Sequence, residues 1–363
     1  MENTVRQVGL ALLAALVVAG HGGCRPGEAS AAAQERPRAR TGMKDAERDM
    51  KPVYSTLRYD ITPLTRARVA ELAAKLDPEA YRVTQKAGTE AAFCGNLLDN
   101  KLHGTYACVV CGLPLFSSEH KFNSGTGWPS FFREFDPAHV TRQRDASRGM
   151  VRTEINCARC GAHLGHVFDD GPAPTHERHC LNSAALRFYE RGAELPPESR
   201  PVATETAYFA GGCFWGLEHY FGAGPGVLEA VSGYMQGHVE RPTYKDVCTD
   251  TTGHAETVQV VFDPQRISYR RLLEAFFVMH DPTQRNRQGP DVGAQYRSGI
   301  WYTSEQQKQE AEAYVQALQS QKRFGGRRIV TQIEPAATFW PAEEYHQDYI
   351  SKTGRACHVK NPW

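Results

Sequence analysis

The chain has 363 residues, which at about 150 residues per domain is enough for two domains. Hydrophobic residues make up 41% of it, so buried cores can form and the composition excludes a globally disordered chain. The 42 Lys and Arg residues balance 41 Asp and Glu residues, which gives a net charge of +1 and excludes a general electrostatic attraction to nucleic acid. We therefore expect no nucleic-acid partner.

The first part of the chain has the layout of an export signal. Arg6 lies near the amino terminus, and thirteen small or apolar residues follow without interruption from Val8 to Gly20. This run is shorter than the roughly 20 residues that a membrane-spanning helix needs, and its position is typical of a signal peptide. We therefore expect residues 1–20 to direct export to the bacterial periplasm or cell envelope. The alternatives are lipid attachment at Cys24, which would tether the N-terminus to the membrane, and a disordered extension.

Changes in composition divide the rest of the chain. Residues 21–52 are rich in Ala, Arg, Gly, Pro and Glu, with almost no large apolar residues, and this composition predicts a linker. A Pro-rich stretch without periodicity at residues 191–202 predicts a second linker. The two predicted domains are residues 53–190 and residues 203–363.

The first domain has the pattern of a β-rich zinc protein. Thr65 to Leu76 has helical apolar spacing, and glycine and aromatic residues then recur at the short intervals of strands and turns. Two C-x-x-C pairs follow, each with glycine directly after it. The spacing turns both sulfurs of a pair towards one ion, and four thiolates complete a tetrahedral zinc site. The predicted ligands are Cys108, Cys111, Cys157 and Cys160; two disulfides are the alternative, because an exported protein can form them.

One further cysteine of this domain lies outside both pairs. Cys180 follows Arg178 and His179, and cationic neighbours favour the thiolate form of a cysteine. His163 and His166 lie upstream, so the segment combines a nucleophile with groups that can transfer protons. The alternative is an inert core thiol with hydrogen-bonded loop histidines.

Three motifs of the first domain resemble those of the B-type methionine sulfoxide reductases. They are S-G-T-G-W-P-S-F-F at 124–132, H-L-G-H-V-F-D-D-G-P at 163–172 and R-H-C-L-N-S at 178–183. The resemblance implies a β-barrel-like fold, with Cys180 as nucleophile and Trp128 as the apolar wall for the substrate methyl group. The residues that it implies around Cys180 are His163, His166, Asp170, Arg178 and Asn182.

The second domain has its own candidate nucleophile. Ala207 to Ala210 predicts a short strand, two glycines permit a tight turn, and helical spacing follows Cys213. Cys213 is therefore predicted at a helix N-terminus, where backbone N–H groups and the helix dipole stabilise an anion. Its aromatic neighbours, Phe214 and Trp215, favour an apolar methyl thioether. An inert cysteine on a glycine-hinged core strand is the alternative.

Strands and helices alternate through the remainder of the second domain. The predicted elements are a strand at Thr257–Phe262, a helix capped by Ser268, and a helix that a Ser304–Gln307 capping box begins and that ends near Gln319. This alternation predicts an α+β or α/β layered fold.

Four ordered motifs of the second domain resemble those of the A-type methionine sulfoxide reductases. They are G-G-C-F-W, P-T-Y-K-D-V-C, T-T-G-H-A-E and D-V-G-A-Q-Y-R-S. The resemblance implies Cys213 as the nucleophile and Glu256 as the acid. The other residues that it implies are Tyr244 and Tyr296 at the sulfoxide oxygen, Asp291 beside them, and Phe214 and Trp215 at the methyl group.

The two resemblances together predict thiol-dependent reduction of both epimers of methionine sulfoxide, free or in oxidised proteins, since one enzyme type serves each epimer. A thiolate attacks the sulfoxide sulfur while an acid protonates the oxygen, which yields methionine and a cysteine sulfenic acid. A second thiol can convert the sulfenic acid into a disulfide, and thioredoxin or a thioredoxin-like donor is the expected reductant. The alternatives are a general thiol–disulfide oxidoreductase and a zinc-based binding module with a passive second domain.

The predicted resolving cysteine of the second domain is Cys357. It lies in a C-terminal segment whose Gly354 and lack of apolar periodicity suit a mobile tail. Cys248 is the competitor, but the strand-like run from Tyr244 to Cys248 suits a structural thiol better.

The first domain departs from the family pattern at Thr126, where many B-type reductases carry the resolving cysteine. Either an external donor reduces Cys180 directly, or Cys94 takes over the role. Gly95 and Asn96 favour a turn that would let Cys94 move. A thiol packed behind Phe93 is the alternative, and we predict a Cys94–Cys180 disulfide after turnover.

Overall fold

The structure, a computed structural model, describes residues 51–355 and 359–363. The predicted signal peptide, Cys24 and Cys357 lie outside these residues, so their predictions stay predictions. Within the two described ranges, no helix is both long enough and apolar enough to cross a membrane.

Two short helices begin the first domain. Helix α1 (Arg66–Ala73) is capped by the Thr65 side chain, and α2 (Pro78–Lys86) is capped by the Asp77 side chain, which accepts a hydrogen bond from the N–H of Ala80 at 2.8 Å. The helix predicted from Thr65 to Leu76 therefore ends early, and α2 follows it without having been predicted.

The rest of the first domain is built from short antiparallel strands. They are β1 (Gly104–Cys108), β2 (Pro114–Ser117), β3 (Lys121–Phe122), β4 (Ser130–Phe131), β5 (Val140–Asp145), β6 (Arg152–Cys157), β7 (His163–Phe168), β8 (Arg178–Leu181) and β9 (Leu186–Glu190). One sheet has the order β2-β1-β9 and the other β3-β4-β8-β7-β6-β5. Buried side chains of both sheets, including Tyr106, Leu115, Phe131 and Leu164, share one core. The domain is β-rich as predicted, and its barrel-like character consists of two open sheets around that core.

The predicted linker at 191–202 packs onto the first domain. It contains a 3-10 turn at Pro197–Ser199, where the buried Ser199 hydroxyl donates to the carbonyl oxygen of Gly112 at 2.5 Å. Arg159 donates to the carbonyl oxygen of Glu198 at 2.9 Å. The linker is therefore held beside the two C-x-x-C pairs.

The second domain is an α+β fold around one mixed sheet. Its strands are β10 (Glu205–Gly211), β11 (Val227–Met235), β12 (Ala255–Phe262), β13 (Arg287–Gln288), β14 (Asp291–Val292), β15 (Ser298–Tyr302), β16 (Gln332–Pro335) and β17 (Trp340–Pro341), and its helices are α3 (Phe214–Gly222), α4 (Tyr244–Val247), α5 (Tyr269–Met279), α6 (Glu305–Ser320) and α7 (Tyr349–Thr353). The sheet order is β16-β15-β10-β12-β11-β17, with β15 and β16 parallel, while β13 and β14 pair separately. Residues of α3 and α5 pack with the sheet in one large core.

Two helix caps and one strand-like run are predicted in this domain. The Ser268 cap is present, and its side chain accepts from the N–H of Arg271. Ser304 caps α6, but the Gln307 side chain accepts from the N–H of Thr303 instead of completing a capping box. The prediction of a strand at Tyr244–Cys248 is wrong: this run is helix α4, and Cys248 is exposed at its C-terminal end.

Candidate active sites

Cys180 lies in the middle of the larger sheet of the first domain. On β8 it pairs with Ser130 of β4 on one side and with His166 of β7 on the other. Directly opposed residues of antiparallel strands project to the same face, so all three side chains share one surface. Cys180 is a partly buried free thiol.

The charged group nearest to Cys180 on its own strand is Arg178, two residues before it on β8. The Arg178 guanidinium donates to both carboxylate oxygens of Asp170, at 2.8 and 2.9 Å, and lies 4.5 Å above the ring of Phe168. Burial raises the pKa of Cys180, and this effect outweighs the lowering by the Arg178 charge and the Thr126 hydroxyl. His179 is fully buried on the opposite face of the strand, where it is hydrogen-bonded to Glu134 at 3.0 Å. The cation that faces the sulfur is therefore Arg178 and not His179.

Two carboxylates orient the predicted histidines. His163 Nδ1 lies 2.7 Å from Glu154 Oε1, and His166 Nε2 lies 3.0 Å from Asp145 Oδ2. Burial lowers the pKa of His166, which keeps its imidazole neutral near pH 7. The sequence reasoning found both histidines but missed both carboxylates, because Glu154 is on the adjacent strand β6, Asp145 ends the next strand β5, and neither follows a motif spacing.

Trp128 and Asn182 are held by one residue that the sequence reasoning missed. The Trp128 indole donates to the carbonyl oxygen of Glu90 at 3.2 Å, and the N–H of Glu90 donates to Asn182 Oδ1 at 2.9 Å. Asn182 also donates to the carbonyl oxygen of Leu164 at 3.0 Å.

A chain of hydroxyl groups leads to the Cys180 sulfur. Thr126 is hydrogen-bonded to Cys180, and its Oγ1 lies 2.8 Å from Ser124 Oγ, which in turn is 2.7 Å from Ser130 Oγ. Thr126 thus occupies the place beside the nucleophile where many B-type reductases carry a second thiol.

The segment that carries Cys94 lies against the same region. The N–H of Phe93 donates to the carbonyl oxygen of Gly127 at 2.8 Å. Cys94 itself is disulfide-bonded, whereas Cys180 is a free thiol. The predicted Cys94–Cys180 bond is not formed in this state, and a resolving role for Cys94 stays a prediction.

The two C-x-x-C pairs converge on one point. The Sγ atoms of Cys108 and Cys160 are 3.6 Å apart and those of Cys111 and Cys157 are 3.5 Å apart, with all four thiols free and within 4.8 Å of one another. Four sulfurs about 2.3 Å from a tetrahedral zinc ion would be about 3.8 Å apart, so the donor set fits that metal.

Cys213 is the N-cap residue of α3, as predicted. Gly212 before it has φ +96°, and a Cβ there would lie 2.7 Å from the Gln288 side chain, so only glycine allows this turn. The first N–H groups of a helix have no partner within the helix, and they favour negative charge at this position.

Glu256 on β12 is 1% exposed and reaches the same helix N-terminus. Its Oε2 accepts a hydrogen bond from the N–H of Phe214 at 3.0 Å. Burial, with a smaller contribution from the charge of Asp291, raises the pKa of Glu256 to about 8. The carboxyl group is therefore largely protonated at neutral pH and can donate a proton.

Two phenols complete the second site. Burial raises the pKa of Tyr244 and of Tyr296, and the proximity of Glu256 raises both further. Tyr296 also interacts electrostatically with Asp291 and Cys213, while the Tyr244 hydroxyl is hydrogen-bonded to Cys248. The predicted acid and both phenols thus lie together, with Tyr296 near the predicted nucleophile, and both phenols remain hydrogen-bond donors at neutral pH.

The apolar wall of this site is braced by the segment before and within α7. Phe214 is buried, and the Trp215 indole donates to His346 Nδ1 at 3.1 Å and stacks on Tyr349 at 3.8 Å between ring centres. Glu343 accepts from the N–H of Tyr244 at 2.9 Å. The sequence reasoning missed these bracing residues, although histidine and tyrosine are concentrated in this segment.

Each domain therefore presents a cysteine beside proton donors and an aromatic side chain. This fold and these two sites define a two-domain, thiol-based oxidoreductase.

Comparisons with known proteins give the family. The model described as "SelR domain" matches residues 76–190, and the model described as "Peptide methionine sulfoxide reductase" matches residues 205–362. The chain is 54% identical over 140 residues to peptide methionine sulfoxide reductase MsrB of Xylella fastidiosa and 56% identical over 154 residues to peptide methionine sulfoxide reductase MsrA of Acidobacterium capsulatum. These matches span 39% and 42% of this chain, and 90% and 98% of the two relatives.

A solved structure, reduced Mxr1 of Saccharomyces cerevisiae, matches with 34% identity and a TM-score of 0.41, over 47% of this chain and 95% of that one. On the sequence matches, the chain belongs to the peptide methionine sulfoxide reductases, with a B-type domain followed by an A-type domain. It reduces both epimers of methionine sulfoxide, the R epimer in the first domain and the S epimer in the second.

Proposed function

We propose that Cys213 is the nucleophile for the S epimer and Cys180 the nucleophile for the R epimer. The observation that carries this proposal is the buried, protonated Glu256 at the helix N-terminus that begins with Cys213. In the proposed reaction the Cys213 thiolate attacks the sulfoxide sulfur, and Glu256 delivers a proton to the oxygen. The sulfur–oxygen bond of the substrate breaks, so that methionine leaves and Cys213 keeps the oxygen as a sulfenic acid.

The same two-electron chemistry is proposed for Cys180. Arg178 stabilises the thiolate, and His163 is the proposed proton donor to the substrate oxygen. The neutral imidazole of His166, hydrogen-bonded to Asp145, packs edge-on against His163 with 5.5 Å between ring centres. Trp128 contacts the methyl group of the substrate, and Asn182 contacts its polar groups. In the second site Phe214 and Trp215 bind the methyl group, while Tyr244 and Tyr296 donate hydrogen bonds to the oxygen.

We further propose one structural zinc ion per chain, held by the four converging cysteines. Their thiolates would supply the complete tetrahedral coordination of the ion, with no open position for substrate. Metal analysis should find one zinc per chain, whereas a protein without zinc and with two extra disulfides by mass would contradict this site.

The sulfenic acids must be returned to thiols. We propose that Cys357 condenses with the Cys213 sulfenic acid, releasing water, and that a thioredoxin-like dithiol reduces the resulting disulfide. Cys94 is disulfide-bonded in the structure, so in the proposed cycle the thioredoxin-like dithiol first reduces that disulfide, and the Cys94 thiol then condenses with the Cys180 sulfenic acid and releases water. Peptide mapping after one turnover without reductant tests the first pairing. A Cys213–Cys248 disulfide would contradict it. Cys248 is the competing thiol, because it is exposed and hydrogen-bonded to the active-site phenol of Tyr244.

The proposed role of the protein is repair of oxidised proteins outside the cytoplasm, with export directed by residues 1–20. Thirteen small or apolar residues after a charged start support this. Cell fractionation should find a processed chain in the envelope, and a full-length chain in the cytosol would contradict export.

Separate assays of the two epimers test the assignment of the nucleophiles. With dithiothreitol as reductant, Cys180→Ser should abolish R-epimer reduction and leave S-epimer reduction unchanged, and Cys213→Ser should do the reverse. Loss of both activities in either variant would contradict independent sites. A general thiol–disulfide oxidoreductase would instead reduce a disulfide peptide and neither sulfoxide.

A further inference from the structure

Glu90 is a buried residue of the first domain, 7% exposed, in the irregular segment between α2 and β1. Its backbone contacts two residues of the proposed R-epimer site. Its carbonyl oxygen accepts from the Trp128 indole at 3.2 Å, and its N–H donates to Asn182 Oδ1 at 2.9 Å. A single residue is thus hydrogen-bonded to the side chains of two predicted residues of this site.

The side chain of Glu90 contacts a third part of the same site. Oε1 accepts from the N–H of Ser183 at 2.6 Å, and Oε2 accepts from the N–H of Ala184 at 2.9 Å. These two N–H groups begin the 3-10 turn Ser183–Ala185, three residues after Cys180. Donors at the start of a helical turn have no partner within it, and a carboxylate that takes two of them forms a strong, charge-assisted cap.

This cap determines where the backbone of residue 90 lies. No helix or strand hydrogen bonds hold that backbone, because the segment is irregular. The space around the carboxylate is also closed: a Cβ on Gly95 would lie 2.7 Å from Glu90 Oε1. The two cap bonds therefore anchor residue 90, and through it the indole of Trp128 and the amide of Asn182.

We propose that Glu90 is a positioning residue for R-epimer reduction, which sets the orientation of Trp128 and Asn182 by capping the turn after Cys180. This inference rests on the proposed function of the first domain. Glu90 does not touch the substrate in this scheme and takes no part in proton transfer. Its effect is on how closely the wall formed by Trp128 fits the substrate methyl group.

Substrate discrimination separates this role from a general effect on stability. An apolar pocket distinguishes substrates that differ by one methylene by roughly 10- to 200-fold. Methionine R-sulfoxide and ethionine R-sulfoxide differ in this way at the group that faces Trp128. A displaced indole should therefore reduce the preference for methionine, whereas a smaller fraction of folded enzyme would lower both rates equally.

The test compares Glu90→Gln with wild type on both R-sulfoxides in the full chain. Gln can accept only one of the two N–H groups, so we expect kcat/KM for methionine R-sulfoxide to fall by roughly 10- to 100-fold. The preference over ethionine R-sulfoxide should fall several-fold. S-epimer reduction by the same chain is the internal control, and Glu119→Gln is the matched variant, because Glu119 is exposed and pairs with the exposed Arg191.

Absence of R-epimer reduction in the wild-type chain would contradict the proposed function itself. Wild-type activity with an unchanged methionine preference in Glu90→Gln would overturn the role of Glu90. If Glu90→Gln does not fold, Trp128→Phe removes the same hydrogen bond from the other side and keeps an aromatic ring; an unchanged preference in that variant overturns the inference equally.

Discussion

Glu256 Oε2 lies 3.0 Å from the backbone nitrogen of Phe214, the residue directly after Cys213. The hydrogen bond fixes a buried acid against the first turn of α3 and thus beside the helix end that favours a thiolate. The acid and the nucleophile are on different elements, β12 and the start of α3, and this bond joins the two elements at the site.

The first prediction concerns the pH dependence of S-epimer reduction. Since burial raises the pKa of Glu256 to about 8, the carboxyl group is protonated below that pH and loses its proton above it. We expect kcat/KM for the S epimer to fall as the pH rises through about 8. Glu256→Gln should remove this alkaline limb and lower the rate by roughly 100- to 10,000-fold, as loss of a general acid does.

A pH–rate profile of kcat/KM for the S epimer, with saturating dithiothreitol at every pH, measures this dependence. A wild-type alkaline limb that persists unchanged in Glu256→Gln would show that another group donates the proton.

R-epimer reduction should respond to pH in the opposite direction. Burial raises the pKa of Cys180 above its ordinary value, so the thiolate fraction grows as the solution becomes more alkaline. Arg178 opposes this effect, and Arg178→Met should raise the pKa of Cys180 further and move the rising limb to higher pH. Rates of Cys180 alkylation by iodoacetamide across pH report the same shift without turnover. Arg187→Met, on the exposed face of β9, is the matched control, and an equal shift in both variants would rule out a specific role for Arg178.

The stability of the second domain should also depend on pH. Glu218 on α3 is 3% exposed and accepts from the N–H of Asp348 at 3.1 Å, and burial raises its pKa to about 7. Between its ordinary value of 4.5 and about 7 the folded state holds a proton that the unfolded state has released, so stability falls as the pH rises through this window. Glu218→Gln keeps an acceptor for Asp348 and removes the titration. It should stabilise the domain by up to about 3 kcal/mol at pH 8 and have little effect at pH 4.

Urea unfolding of wild type and Glu218→Gln at pH 4 and pH 8 measures this difference. Glu256 contributes a similar fall up to about pH 8 in both proteins, so only the difference between them reports Glu218. Equal stabilisation at both pH values would mean that the carboxylate charge is not the cause.

The role of Cys94 can be separated from the chemistry at Cys180. Cys94→Ser should leave the dithiothreitol-driven rate of R-epimer reduction unchanged, because dithiothreitol can reduce the Cys180 sulfenic acid directly. The thioredoxin-driven rate should fall, because a thioredoxin-like dithiol acts on a disulfide. Unchanged thioredoxin-driven turnover would show that Cys180 needs no resolving thiol, in agreement with the hydroxyl of Thr126 at that position.

The sequence predicts those parts of the sites that depend on local pattern. The glycines before Cys213 and the helical spacing after it correctly place this cysteine at a helix N-terminus, because the turn and the first helical residues are encoded together. The prediction of a strand at Tyr244–Cys248 is wrong, although Thr243 and Asp246, three residues apart, form a capping box that marks a helix start.

Residues that act across the fold could not be predicted in this way. Glu154 reaches His163 from the adjacent strand, Asp145 reaches His166 from the strand beyond it, and Glu90 reaches Asn182 across 92 positions of the chain. Such contacts depend on strand register and on the packing of irregular segments, which the periodicity of a single segment does not specify. The same holds for the hydrogen bond between Trp215 and His346, two residues that lie 131 positions apart in the sequence.

The short connection between β9 and β10 has a consequence beyond architecture. Only residues 191–204 separate the last strand of the first domain from the first strand of the second. Oxidation of the methionine thioether creates a stereocentre at sulfur, and an oxidant that does not select one face gives both epimers. Translation of this chain yields the two stereospecific catalysts in a fixed one-to-one ratio. The two epimer-specific activities are thereby present in equal numbers of sites by covalent connection, with no need to coordinate two separately made enzymes.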